Sequence, residues 1–243
     1  MGTLNLAVTE VEHYTDRLFR IKTERPPAFR FSAGEFVMIS TLDKDVPSRA
    51  YSLTSGPYDN YLEFYSIKVE DGPLTSRLQH IKEGDYIEMG DRATGTLTLA
   101  NLELGGELWM LATGTGIAPF ISLLREPETY EAFDRIHVVW SVRTQEDLWS
   151  YNDFLEFPEL GDIDYIPIVT QDPDWHGLNK RITTMLAGGV ILTDADPIKH
   201  KVMICGSMPF NNDVKSMLTS WGWQEGNKRT QGTFVQEKAF VGL

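Results

Sequence analysis

The sequence predicts a β domain followed by an α/β domain: a six-stranded antiparallel barrel over residues 1–100, then a doubly wound parallel sheet over residues 101–243. Three observations predict this. Short alternating runs punctuated by turn residues fill the first hundred positions. From about Glu107 strand-like runs alternate with helical ones, the rhythm of right-handed βαβ units. The change of rhythm falls near Ala100–Gly106, where Gly105-Gly106 marks a loop.

In the first half, the strands read from the alternation are Leu4–Thr9, Leu18–Lys22, Glu35–Ser40, Ala50–Thr54, Tyr61–Val69 and Tyr86–Met89. Pro26-Pro27, Ala33-Gly34, Ser55-Gly56-Pro57, Asp71-Gly72-Pro73 and Glu83-Gly84-Asp85 separate them. One short helix fits between Leu74 and about Ile81. Even spacing of short strands is the pattern of a small barrel. In the second half, strands at Leu108–Ala112, Ile136–Ser141, Asp164–Val169 and Lys201–Cys205 each precede a helix. Those helices are expected at about Ala118–Arg125, Glu146–Phe157, Lys180–Leu186 and Pro209–Ser220.

Composition narrows the function. Hydrophobic residues make up 42% and charged residues 23%, as in soluble globular proteins. No apolar run approaches the roughly 20 residues of a membrane span. The amino terminus lacks a basic segment followed by an apolar one, and Leu6 stands where a myristoylation motif wants Ser or Thr. A cytoplasmic protein without membrane contact is expected. The single cysteine, Cys205, excludes an internal disulfide and an iron–sulfur cluster held by four cysteines of this chain. A net charge of −13 argues against nucleic-acid binding.

Two strings carry chemistry. In Arg49-Ala50-Tyr51-Ser52-Leu53, alternation puts Arg49, Tyr51 and Leu53 on one face and Ala50 and Ser52 on the other. A guanidinium can pair with phosphate, a phenol offers a ring, and a serine offers a donor at a ring edge, so the strand suits a flavin dinucleotide. The same alternation is that of an ordinary half-buried strand. Thr75 and Ser76 open the predicted short helix, either as an anion site or as simple N-caps. In the second string, Thr113-Gly114-Thr115-Gly116-Ile117-Ala118-Pro119, a glycine-rich turn follows a strand and opens a helix. Such a turn admits a pyrophosphate, and a tight packing turn is the other reading. Cys205-Gly206-Ser207 makes a second turn of this kind, where Cys205 is either a positioning residue or a small buried apolar one. The five histidines are scattered, with no metal-ligand spacing. The acidic run Glu126–Glu131 is expected to be solvated, and Trp221 and Trp223 to be packing residues.

Taken together, the strings resemble the bacterial-type ferredoxin/flavodoxin–NADP(+) reductase family of the plant-type reductase superfamily. The resemblance covers essentially the whole chain and is strongest over Phe64–Gln79. It implies FAD on the barrel: Arg49 on the pyrophosphate, Tyr51 packed on the isoalloxazine, Ser52 near N5, and Ala50 in the same motif. Ser66, Ile67 and Lys68 would run beside the FAD, with Leu74, Thr75 and Ser76 at its pyrophosphate; Thr94-Gly95-Thr96-Leu97 matches a further family loop. It implies that the loop of Thr113, Gly114, Gly116 and Pro119 receives the NADP pyrophosphate while Thr115 approaches the flavin. Cys205 and Gly206 would lie beside the nicotinamide. Arg143 and Arg181 would hold the 2′-phosphate. A third arginine of the family pattern is absent, because Thr170-Gln171-Asp172-Pro173-Asp174 has Gln171 in its place. Ala239 would face the flavin ring and Phe240 would pack near the adenine.

The resemblance thus implies an oxidoreductase that passes a hydride from NADPH to FAD, with Ser52, Cys205 and Ala239 around the reacting rings. Single electrons would then pass to ferredoxin or flavodoxin, from a monomeric enzyme. Gln171 keeps open a related NADH-dependent flavin reductase serving an oxygenase or another protein acceptor. A flavin- or nucleotide-binding module without turnover is disfavoured by the intact Arg49, Tyr51, Ser52, Pro119 and Cys205.

Overall fold

The structure, a computed structural model, describes residues 2–69, 71–148 and 163–238. It divides into two compact units. The first holds the chain up to Gly95 together with Ala118–Arg125; the second holds Thr96–Ile117 and runs on from Glu126.

Six antiparallel strands build the first unit: β1 (Thr3–His13), β2 (Leu18–Glu24), β3 (Phe36–Thr41), β4 (Arg49–Ser52), β5 (Tyr61–Ile67) and β6 (Tyr86–Gly90). Their order is β4-β3-β6-β1-β2-β5. One half of β1 pairs with β6 and the other mainly with β2, and the β1–β2 register shifts between Val8 and Glu10. A bulge there bends the strand, which lets one strand serve two neighbours and curl the sheet into a nearly closed barrel. Leu6, Phe19, Ile21, Leu62, Phe64, Ile87 and Met89 fill the interior. The predicted short helix is a single turn, α1 (Thr75–Leu78), which adds Leu78 to this core, with Leu74 joining from just before it.

Helix α2 (Ala118–Leu124) is buried along its whole length. Its Ser122 hydroxyl donates to the Ser55 carbonyl at 2.7 Å. Arg125, just beyond its end, donates to the Thr54 carbonyl at 2.9 Å and to Glu63 Oε1 at 2.8 Å. Glu63 is fully buried, and its carboxylate also accepts from the Thr54 hydroxyl at 2.9 Å. Arg20 and Lys22 stand 3.5 and 3.7 Å from its other oxygen. Taking a carboxylate out of water is tolerated only with such partners.

The second unit is a parallel sheet of β7 (Glu107–Thr113), β8 (Arg135–Val142), β9 (Ile163–Val169), β10 (His200–Gly206) and β11 (Phe234–Lys238), in the order β11-β10-β7-β8-β9. Every residue of β10 is buried, the near-continuous apolar run expected of a strand covered on both faces. Helices α3 (Pro127–Ala132), α4 (Ile182–Ala187) and α5 (Met208–Ser220) accompany the sheet. Ile182, Met185, Leu186, Val214, Leu218 and Trp223 pack with Leu111, Val139, Ile168 and Ile204 in one core.

One expectation needs revision, and another lies mostly outside the described residues. The acidic run is not simply solvated: it forms α3, with Pro127 in its first turn, Thr129 buried and Glu126 half-buried. Burial, reinforced by Glu128, pushes the Glu126 carboxyl up to about 7. The helix expected near Glu146–Phe157 falls mostly outside the described residues; Gln145–Leu148 forms one 3₁₀ turn. No helix among the described residues is long and apolar enough to cross a membrane.

Candidate functional site

On the barrel, the predicted residues gather around β4 and β5, the two edges of the sheet. Tyr51 lays its ring against the core, and its hydroxyl meets the Ser66 hydroxyl at 3.0 Å, joining one edge strand to the other. Burial raises the Tyr51 hydroxyl above its ordinary value, so it stays protonated at neutral pH. Leu53 is fully buried, so the face that Arg49, Tyr51 and Leu53 share is partly core. Ala50 and Ser52 are half-buried, and the Ser52 hydroxyl makes no hydrogen bond among the described residues. Arg49 donates only to its neighbour's Ser48 carbonyl at 3.1 Å and forms no ion pair among the described residues. Ser66 is buried, Ile67 half-buried, and Lys68 reaches toward the Thr15 carbonyl at 3.5 Å.

The segment before α1 refines the expectation for Thr75 and Ser76. Neither caps the helix: the N-cap is Leu74, without a side-chain bond. The Thr75 hydroxyl donates back to the Val69 carbonyl at 3.3 Å, and the Ser76 amide is engaged by the Gly72 carbonyl at 3.0 Å. Leu74 is buried in the core, so only its backbone can meet a ligand. The amides of Leu74 and Thr75 have no partner among the described residues. An unpaired guanidinium, open amides and an aromatic ring on one barrel are a donor set that fits an anionic dinucleotide with a flat ring.

The α/β unit uses its backbone instead. In the sheet order, β8 and β9 follow β7 on one side while β10 and β11 lie on the other. The loops leaving β7 and β10 therefore diverge, a topological switch point where α/β sheets take ligands. After β7 the chain makes a 3₁₀ turn over Gly114–Ile117 and then enters α2, with Pro119 in its first turn. Gly114 is exposed with φ +53°, and no atom lies within 4 Å of where a Cβ would stand. Its carbonyl accepts from Trp140 Nε1 at 2.8 Å. Gly116 is buried, and a Cβ there would collide with the Cys205 carbonyl. A Cβ on Gly206 would strike the Thr113 hydroxyl and stand 2.7 Å from the Phe210 ring. Thr113 Oγ1 accepts from the Ser207 amide at 3.2 Å, tying the two turns together. Thus Gly116 and Gly206 let the turns pack, Gly114 presents open backbone, and half-buried Thr115 lies between the loop glycines.

Cys205 is fully buried, and burial followed by the nearby Glu237 pushes its thiol far up, so no thiolate forms near neutral pH. Glu237 escaped the sequence reading. In Phe234–Lys238 it reads as an ordinary polar position, and only the parallel pairing of β10 with β11 sets it opposite Cys205. Burial raises its carboxyl, which accepts from the Thr96 amide at 3.3 Å.

Arg143 leaves the end of β8 and Arg181 precedes α4; both are exposed and form no ion pair among the described residues. The Gln171 amide donates to the Arg143 carbonyl at 2.8 Å, setting the loops after β8 and β9 side by side. Ala239 and Phe240 lie outside the described residues. At the other ends of the strands, His137 sits between Glu107 at 2.9 Å and Asp164 at 3.0 Å, stacked 3.9 Å from Trp109.

A barrel and a parallel sheet whose switch point carries two glycine turns define a nucleotide-binding oxidoreductase. Residues 110–216 match the family model of the oxidoreductase NAD-binding domain. Ferredoxin–NADP reductase A of Sorangium cellulosum is 44% identical, over 99% of this chain and 91% of the relative. Flavodoxin/ferredoxin–NADP reductase of Rhodobacter capsulatus is 45% identical, over 97% and 92%. Among solved structures, a ferredoxin NADP+ reductase from Neisseria gonorrhoeae with bound FAD and NADP superposes with a TM-score of 0.90. It is 30% identical, covering 98% of this chain and 99% of that one. The chain belongs to the ferredoxin/flavodoxin–NADP(+) reductase family.

Proposed function

We propose that the protein is an FAD enzyme that takes electrons from NADPH and delivers them to ferredoxin or flavodoxin, as a cytoplasmic monomer. The observation that carries the reading is the pair of glycine turns at the switch point between β7 and β10, with open backbone at Gly114. The names of the relatives and the FAD and NADP bound to the Neisseria protein support it. When bound, the two cofactors would supply the chemistry, hydride transfer between nicotinamide and flavin and release of single electrons.

The residues of this chain bind and align. Arg49 supplies a cation for the FAD pyrophosphate, together with the amides of Leu74 and Thr75 and the segment through Ser76. Tyr51 keeps its ring fixed through the bond to Ser66, while Ala50, Ile67 and Lys68 flank the same edge. Ser52 has a hydroxyl available to orient the reacting ring edge. Thr113, Gly114, Gly116, Pro119 and Gly206 form the nucleotide cradle, with Thr115 approaching the flavin, and Arg143 and Arg181 receive the 2′-phosphate. Cys205 shapes the nicotinamide site as a neutral thiol, and the roles at the flavin assigned to Ala239 and Phe240, which lie outside the described residues, rest on the family resemblance alone. Proximity and alignment are the main protein contribution to such a transfer.

The test is an anaerobic titration of the purified protein, followed by visible absorbance. A flavin spectrum bleached by about one equivalent of NADPH supports the proposal. Failure to retain flavin, or a flavin untouched by either nicotinamide, overturns it.

A further inference from the structure

The end of β11 is held by two residues that lie far from each other in the chain. Asn211, the fourth residue of α5, is fully buried, and its Nδ2 donates to the Glu237 carbonyl at 2.8 Å. Its Oδ1 has no partner among the described residues. The Thr96 hydroxyl donates to the Gln236 carbonyl at 2.9 Å, and the Thr96 amide donates to Glu237 Oε2 at 3.3 Å. Thr96 is itself fixed by the buried Asn101, whose Nδ2 donates to the Thr96 carbonyl at 3.1 Å and to the Thr98 hydroxyl at 2.9 Å. All of these residues belong to the second unit, and they converge on two consecutive residues of an edge strand.

Packing alone does not account for Asn211. Asparagine is a poor helix former, and a buried amide is costly where it is not hydrogen-bonded. A leucine of similar size would fill the space without leaving an oxygen unpaired. What the asparagine adds is therefore its one donated bond. That bond acts on Glu237, the residue that the β10–β11 register sets opposite Cys205. Only Lys238 follows it in β11, and element ends are where a fold opens at least cost. Asn211 and Thr96 close that weak point beside Cys205.

We propose that Asn211 and Thr96 are positioning residues for hydride transfer, a clamp that keeps the end of β11 closed beside Cys205. The inference rests on the reading above that Cys205 borders the nicotinamide. Its test uses Cys205 as reporter, since it is the sole cysteine and is buried. The rate at which an aromatic disulfide reagent labels it is measured in the FAD-loaded wild type, Asn211→Leu, Thr96→Val and Thr96→Ser. Anaerobic stopped-flow bleaching of the flavin by NADPH is followed in the same proteins. In Asn211→Leu and Thr96→Val labelling is expected to quicken about fivefold and bleaching to slow about fivefold, the worth of one net hydrogen bond. NADP+ affinity is expected to stay within about twofold, because alignment and not binding is lost. Thr96→Ser, which keeps the hydroxyl, is expected to label like wild type. A packing role would lower the unfolding midpoint of Asn211→Leu and leave both rates alone, and that result overturns the inference. Should Asn211→Leu not fold, wild-type labelling in Thr96→Val overturns it as well. A wild-type flavin that NADPH does not bleach overturns the functional reading instead, while the labelling rates still judge the clamp.

Discussion

The two halves of the candidate site are made of different material. On the barrel, side chains carry much of the chemistry: Arg49 as a cation, and Tyr51 and Ser66 as a bonded pair. On the α/β unit, backbone carries it: Gly114 is open while Gly116 and Gly206 are closed against the neighbouring turn. The contrast teaches where each half is vulnerable. A side-chain contact can be removed singly at a graded cost, whereas a turn that has no room for a Cβ fails at once.

Substitution of a packing glycine is expected to have the largest effect. Gly116→Ala or Gly206→Ala forces the β7 and β10 turns apart and should destabilise the second unit by about 3 kcal/mol or more. Chemical unfolding would show it, and a wild-type midpoint would erase the distinction drawn between these glycines and Gly114. Arg125→Ala is the barrel counterpart. It strips the buried Glu63 of its shortest ion pair, and with Arg20 and Lys22 still nearby the loss should fall at the low end for a broken buried pair, about 3 kcal/mol. A loss below 1 kcal/mol would mean that Arg20 and Lys22 alone suffice.

Gly114→Ala sharpens the comparison because its Cβ meets nothing. The strain of an alanine at φ +53° should cost about 1 kcal/mol, while NADP+ affinity falls at least tenfold and FAD is retained. Equal nucleotide affinity would move the pyrophosphate away from this backbone. Tyr51→Phe removes the hydroxyl link between β4 and β5 and should cost about 1 kcal/mol or less in thermal unfolding, with the barrel otherwise intact.

An effect that depends on pH lies outside both halves, at Glu126. Burial pushes its folded carboxyl up to about 7, against an ordinary 4.5, so between these the folded state binds more protons than the unfolded one. Stability from this group therefore falls as pH rises from about 4.5 to 7 and is level above. Glu126→Gln should gain urea resistance relative to wild type at pH 8 but not at pH 4.5. Parallel profiles for the two proteins would contradict the assignment.

Much of this was legible in the chain. All six barrel strands lie within a few residues of the runs read from alternation, and the strand–turn–helix at Thr113–Pro119 stands where its glycines put it. Helix α3 was missed because its charges mimic a solvated loop, while Pro127 at its start and buried Thr129 are weak local signals. The capping roles suggested for Thr75 and Ser76 were displaced by a tighter arrangement around Gly72, where a Cβ would meet the Thr75 hydroxyl.

By itself, the sequence determined the order of elements, the two-unit plan and the glycine turns, because periodicity and turn chemistry act between residues a few positions apart. Tertiary structure alone decided which glycine faces outward and which is locked in packing. It also set Glu237 opposite Cys205, gave Glu63 its partner in Arg125, and tied Asn211 to the Glu237 carbonyl. Each of these depends on strand order and register, which join residues far apart in the chain and leave no local trace.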